Sequence, residues 1–258
     1  MKKIDVNDEI QQIVEKREKN AESEFQLSSK LNDIIDRYIE KNKFLMLFSP
    51  PLEDLEKIER LILEHESEMW CIDFQIVAHL MDGVISSEMV TNYVEDSLEH
   101  YIEEVTSNSM YKLHASLIKE AYEAYNLGFY KLCVFPLIST FDLVFSLWCE
   151  GKIQKKSISI DGKPNIPRLY AKVKPEEYEK ASQEYFTQIF TLSILRMYKK
   201  MFLKIPEKLP KELNRNAIMH GFYDYESITK KDVLKLFQLL KSAIVLTIAD
   251  SSQLINNG

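Results

Sequence analysis

Apolar residues recur every three or four positions along most of this chain. In residues 4–42 they include Leu31, Ile34, Ile35, Tyr38 and Ile39, and in residues 52–68 Leu55, Ile58, Leu61 and Ile62. That period turns one face of an α-helix toward a core. Pro50-Pro51 separates the two stretches. Residues 69–81 are mostly apolar and suit a buried helix or a strand; helix is the better fit to their length. After Asp82-Gly83, Ser86 and Ser87 precede Glu88 and predict a capped helix to about Val105. Two further helices are expected over 110–126 and 129–150, divided by Asn126-Leu127-Gly128, a helix stop with glycine in the left-handed position. Pro136 falls inside the second of these.

Residues 152–173 show no period and carry an Asp161-Gly162 turn with prolines at 164 and 167. Pro175-Glu176-Glu177 opens another helix, extending to about Phe202. Thr229-Lys230-Lys231-Asp232 has the form of a capping box ahead of a last helix with Val233, Leu236, Phe237, Leu240 and Ile244 on one face. The expected fold class is all-α, a helical bundle. Composition agrees, since 258 residues hold only 6 glycines. Thr106-Ser107-Asn108-Ser109 marks a soft boundary between an N-terminal helical region, 1–105, and a C-terminal bundle, 106–258.

Charge sharpens that division. Residues 1–110 carry 11 basic and 25 acidic side chains, a net of −14, and the remainder 22 and 15, a net of +7. Residues 196–241 alone carry 11 basic and 5 acidic, a net of +6. A locally basic segment attracts phosphates whatever the net charge of the whole chain, although a solvated helix surface accounts for it too. No uninterrupted apolar run reaches the roughly 18 residues of a membrane span, and the N-terminus lacks a signal-peptide core, so a cytoplasmic protein without membrane contact is expected. Cys71, Cys133 and Cys149 are scattered in apolar context and are expected to be reduced thiols.

Two places concentrate chemistry. Val134–Trp148 is apolar nearly all round and contains one charge, Asp142. A buried carboxylate needs a cation and hydrogen bonds unless it reaches water at the bundle edge. Arg215 is the best partner, because its planar fork matches a carboxylate. Arg215 opens the second place, Arg215-Asn216-Ala217-Ile218-Met219-His220-Gly221. On a helix Asn216 and His220 share a face, and the long arginine side chain reaches the same point. A fixed cation, an amide and a titratable imidazole suit phosphodiester cleavage: Arg215 clamps phosphate, His220 moves the proton, and Asn216 orients the histidine or the phosphate. If the nucleophile is an RNA 2′-hydroxyl, no metal or other cofactor is called for. His65, His79, His100 and His114 lack metal-ligand spacing.

Arg215-Asn216-Ala217-Ile218-Met219-His220 resembles the Arg-x4-His motif of the HEPN superfamily. The upstream pair, Ala121–Tyr130 into Val134–Asp142, is similar to that family's helix, glycine-aromatic turn and helix with one acidic residue. The resemblance covers about residues 110–250 and implies a helical core and a homodimer whose two motifs form one composite site. It also implies cleavage of RNA to a 2′,3′-cyclic phosphate without metal, as a toxin or anti-phage effector. Asp142 would then hold Arg215, and Lys199, Lys200, Lys204, Lys208 and Lys211 would bind RNA backbone. Apart from the resemblance, the acidic N-terminal region is expected to be either a solubilising helical layer packed on the bundle or a cover for the basic segment that binds a regulatory protein or activator. Where some members have a tyrosine two residues after the histidine, this chain has Phe222. The family includes inactive scaffolds, so the alternative expectation is a non-catalytic module for dimerisation or for nucleotide or partner binding.

Overall fold

The computed structural model describes residues 52–154, 157–160, 162–166, 168–179 and 185–255, all within a compact unit spanning Leu52–Gly258. The helix expected over 4–42 lies outside these residues. The fold is all-α. Its elements are α1 (Leu52–Ser67), α2 (Phe74–Met81), α3 (Val90–Asp96), α4 (Leu98–Ser107), α5 (Ala115–Asn126) and α6 (Tyr130–Cys149), then the two-residue strands β1 (Ile153–Gln154) and β2 (Ser157–Ile158). α7 (Leu169–Lys172), α8 (Pro175–Tyr178), α9 (Tyr185–Met201), α10 (Arg215–Met219), α11 (Lys230–Ser242) and α12 (Ser252–Ile255) follow. β1 and β2 pair antiparallel, with Ile153 opposite Ile158.

α6 is the axis of the bundle. Eleven of its residues are buried, including Phe141, Phe145 and Trp148, and α5, α10 and α11 pack directly on it. Trp148 satisfies its buried indole N–H on the carbonyl of Ala249, 3.1 Å away. Pro136 removes one intrahelical donor, yet the helix continues. The carbonyl left without that donor belongs to Leu132, a residue on the exposed side of the helix. Among the described residues α6 is also long and apolar enough to cross a membrane, with a mean hydropathy of 1.8. The sequence suggested no such stretch, because Lys131 and Asp142 interrupt the apolar run without much lowering its average.

Several boundaries follow local chemistry. α5 ends in paired bonds from Phe129 N–H to Ala124 (2.8 Å) and Gly128 N–H to Tyr125 (2.9 Å), with Gly128 at φ +78°. α11 opens in a complete capping box between Thr229 and Asp232. Other boundaries differ from expectation. Ser86 makes no capping bond to backbone and donates instead to the Glu88 carboxylate at 2.7 Å. The helix expected to run to Val105 divides at Ser97, although Val90, Val94, Leu98, Ile102 and Val105 all remain buried across the break. Thr106–Ser109 lies inside the compact unit, where Asn108 turns the chain by accepting from Met110 N–H at 3.0 Å. The shift to small polar residues there marks a corner between helices, with α4 packed on both α5 and α11.

The three cysteines are free and buried, as expected of core thiols. Burial pushes Cys71 up to about 12 and Cys133 up to about 11. The four upstream histidines occupy separate elements. His65 contacts the Leu61 carbonyl at 2.8 Å, His114 the Thr140 hydroxyl at 3.0 Å, and His79 the Tyr93 ring, while His100 is exposed.

Candidate functional site

The motif forms α10, a helix of five residues, far below the length at which a helix holds itself together. Tertiary anchors do it instead. Asn214 caps the start by accepting from Ala217 N–H at 2.8 Å. Asn216 donates to the carbonyls of Phe202 (3.1 Å) and Leu203 (2.9 Å), and Asn214 adds a bond to Leu203 at 3.3 Å. Those carbonyls follow the end of α9, so both asparagines use backbone acceptors that no longer have helical partners. Leu213, Ala217 and Ile218 complete the attachment by burying their side chains. The far end closes through Phe222 N–H to Ala217 (2.8 Å) and Gly221 N–H to Ile218 (3.2 Å), with Gly221 at φ +77°. A Cβ at Gly221 would meet nothing within 4 Å, so only the backbone opposes a side chain there. Gly221→Ala is expected to destabilise the protein by about 1 kcal/mol in urea unfolding, the usual penalty of the left-handed conformation. An unchanged or higher midpoint would contradict this.

Arg215 meets Asp142 as expected. Its Nη2 donates to the Asp142 carboxylate at 2.8 Å and its Nη1 to Asn216 Oδ1 at 3.1 Å. The guanidinium carbon lies 5.6 Å from the centre of the Phe202 ring. Phe202 ends a stack in which Tyr198 lies 4.2 Å from Phe202 and 4.1 Å from Phe145. A run of aromatic rings therefore supports the arginine from the core outward. Its buried Nε makes no hydrogen bond among the described residues. Among the described residues two of its five N–H donors are engaged and the Nε donor is buried, which leaves two on the terminal nitrogens for a phosphate.

Both members of the pair are partly buried, with 29% of the Arg215 side chain and 27% of the Asp142 side chain exposed. Burial pushes the Asp142 carboxyl above its ordinary range, an effect the Arg215 guanidinium only partly offsets. A carboxyl raised in the folded state favours folding most when protonated. Its contribution is full below the unfolded value, about 3.9, and is lost as pH rises through the folded pKa. The stability of the wild type relative to Asp142→Asn is therefore expected to decline as pH rises above about 4. Urea midpoints of both proteins across that range test this, and an advantage that grows with pH would contradict it.

His220 stands at the C-terminal cap, its backbone N–H bonded to the Asn216 carbonyl at 3.0 Å. The residue is exposed, and its imidazole makes no hydrogen bond among the described residues. Arg215 and His220 thus occupy opposite ends of one short helix, the first fixed by a carboxylate and the second open to solvent. Asn216, expected to orient the histidine or a phosphate, instead holds the arginine and ties α10 to α9.

The basic segment divides in two. Lys199 donates to the Tyr170 carbonyl at 2.9 Å with its ammonium over that ring, and Lys200 donates to the Glu66 carbonyl at 2.6 Å. Arg196 makes a two-pronged bond to the buried Glu66, each prong 2.8 Å. These three residues brace α9 against its neighbours. Lys204, Lys208 and Lys211 are exposed on the segment between α9 and α10. Asn214, Phe202 and Tyr225 join the site without having been expected there, and Tyr225 donates to the Ile218 carbonyl of α10 at 2.6 Å. Asn214 carried a usable signal, an asparagine immediately before a short apolar helix. The two aromatic roles depend on tertiary neighbours alone.

Comparison with protein families, curated proteins and solved structures finds no match to this chain.

Proposed function

We propose that this protein is a metal-independent endoribonuclease of HEPN type, acting as a toxin or anti-phage effector. The observation that carries the reading is one short helix with a carboxylate-held arginine at its head and, at its end, an exposed histidine that makes no hydrogen bond among the described residues. Arg215 keeps N–H donors for a phosphate and offsets charge that develops on it. His220 is free to take the 2′-hydroxyl proton or protonate the departing 5′-oxygen, and a second copy's histidine would supply the complementary step. Exposed Met219 within the motif and Phe222 just after it suit the homodimer this requires. Lys204, Lys208 and Lys211 offer contacts to RNA backbone, each adding to the salt dependence of binding.

One observation favours a different reading. The Arg215 fork is already engaged by Asp142 and Asn216, which suits a non-catalytic module whose motif only braces α10. The two separate on incubation of purified protein with total RNA and a chelator, beside His220→Ala. The nuclease reading expects degradation by wild type alone. Intact RNA in both samples at near-physiological salt would leave the structural reading standing.

A further inference from the structure

α6 is buried nearly all round except along one strip. Leu132, Phe135 and Ser139 are exposed and Asp142 is partly so, at spacings of three, four and three residues. Those spacings keep them on a single helical stripe. The open strip of the central helix therefore leads to the carboxylate that holds Arg215. Leu132 and Phe135 are apolar yet 64% and 37% exposed.

Phe135 is held as a platform. Its ring lies 5.9 Å from that of Tyr225 and only 22° from parallel. The Tyr225 hydroxyl donates to the Ile218 carbonyl, and Tyr223 meets Tyr225 edge-on at 6.0 Å. Phe135 thus belongs to the helix carrying Asp142 and is backed by a residue bonded to the helix carrying Arg215. Seven residues at about 1.5 Å each place it about 10 Å along α6 from Asp142. Phe135 is stacked on one neighbour and still 37% open, so it is an apolar ring that remains accessible from solvent. Glu226, next to Tyr225 in sequence, is paired with Lys131.

We infer that Phe135, backed by Tyr225, is a stacking platform for an unpaired nucleobase adjoining the phosphate at Arg215. The inference rests on reading Arg215 as a phosphate clamp. Positive charge at the end of the strip, at Arg215 and on the segment leading to it, favours a nucleic acid there. Arg215 retains free N–H donors, and Lys204, Lys208 and Lys211 are exposed on the segment leading to it. A base inside a duplex has both faces covered by its neighbours, whereas an unpaired base can leave its stack for an aromatic ring. The platform therefore selects single-stranded RNA or the loops of folded RNA. Phe135 is a positioning residue: it places the nucleotide and takes no part in proton transfer.

The test uses a short fluorescent 2′-O-methyl RNA of mixed sequence, single-stranded or annealed to its complement. That probe lacks the attacking hydroxyl, so binding is measured apart from cleavage. Phe135→Ala is expected to weaken single-strand binding about tenfold. Phe135→Trp is expected to retain affinity, and its added tryptophan fluorescence should be quenched by the single strand but not by the duplex. Equal affinity in wild type and Phe135→Ala, equal quenching by duplex, or a wild type that binds no single strand would each overturn the inference. So would unchanged affinity with a dimer reduced to a monomer in Phe135→Ala, which would assign the strip to a second copy. A wild type that binds the single strand and a Phe135→Trp variant that is quenched by it, with cleavable RNA left intact by the wild type, would keep the platform and refute the nuclease. Cleavage with no effect of Phe135→Ala on binding would do the reverse.

Discussion

His220→Ala is expected to lower RNA cleavage by about a hundredfold to ten-thousandfold, the usual contribution of a positioned general acid or base. The fold should survive nearly unchanged. The imidazole is exposed and makes no hydrogen bond among the described residues, while the bonds that close α10 come from the backbone of residues 220–222. Exposed substitutions of this kind fall within about 0.5 kcal/mol of neutral. Loss of cleavage with an unaltered urea midpoint therefore separates chemistry from stability. Equal cleavage rates in the two proteins would remove the histidine from the mechanism.

The second large effect is expected at Asp142, where stability and activity fall together. Asp142→Ala leaves the Arg215 guanidinium partly buried beside Phe202 with one hydrogen bond fewer. Stranding a buried charged donor costs about 1–3 kcal/mol. Because both side chains keep more than a quarter of their surface in water, the lower part of that range applies. Cleavage should drop as well, since an arginine no longer held by α6 loses its fixed position. The sign of the coupling distinguishes a designed pair from a passive contact. Burial opposes the charged form of Asp142 more than Arg215 supports it, so removing both charges should cost less than the two single changes added together. Urea unfolding of Asp142→Leu, Arg215→Met and the double variant measures this. Strict additivity would contradict the pairing argument.

Much of this site was legible in the chain because its determinants are local or because burial left few alternatives. Gly128 and Gly221 stop their helices through backbone conformation alone. Thr229 and Asp232 announce α11 through their spacing. Asp142 pointed to Arg215 because a lone carboxylate in an apolar helix demands a cation, and few arginines were available to meet it. What escaped depended on neighbours distant in sequence. Asn216 turns to the carbonyls after α9 and to Arg215, and nothing in its own surroundings distinguishes that from a partnership with His220. Lys199 and Lys200 look like free surface charges until Tyr170 and Glu66 are folded against them. The division of one apolar stripe at Ser97 leaves the periodicity of buried residues intact, so periodicity alone could not reveal it.

The central claim is that Arg215 and His220 direct a 2′-hydroxyl against its own phosphodiester. Mass spectrometry of fragments from a defined single-stranded RNA, cut in the presence of chelator, tests it most directly. The account predicts 2′,3′-cyclic phosphate on one side of each break and a 5′-hydroxyl on the other, with fragments from His220→Ala reduced at least about a hundredfold. Fragments ending in 3′-hydroxyl and 5′-phosphate, or intact RNA with folded wild-type protein, would contradict it.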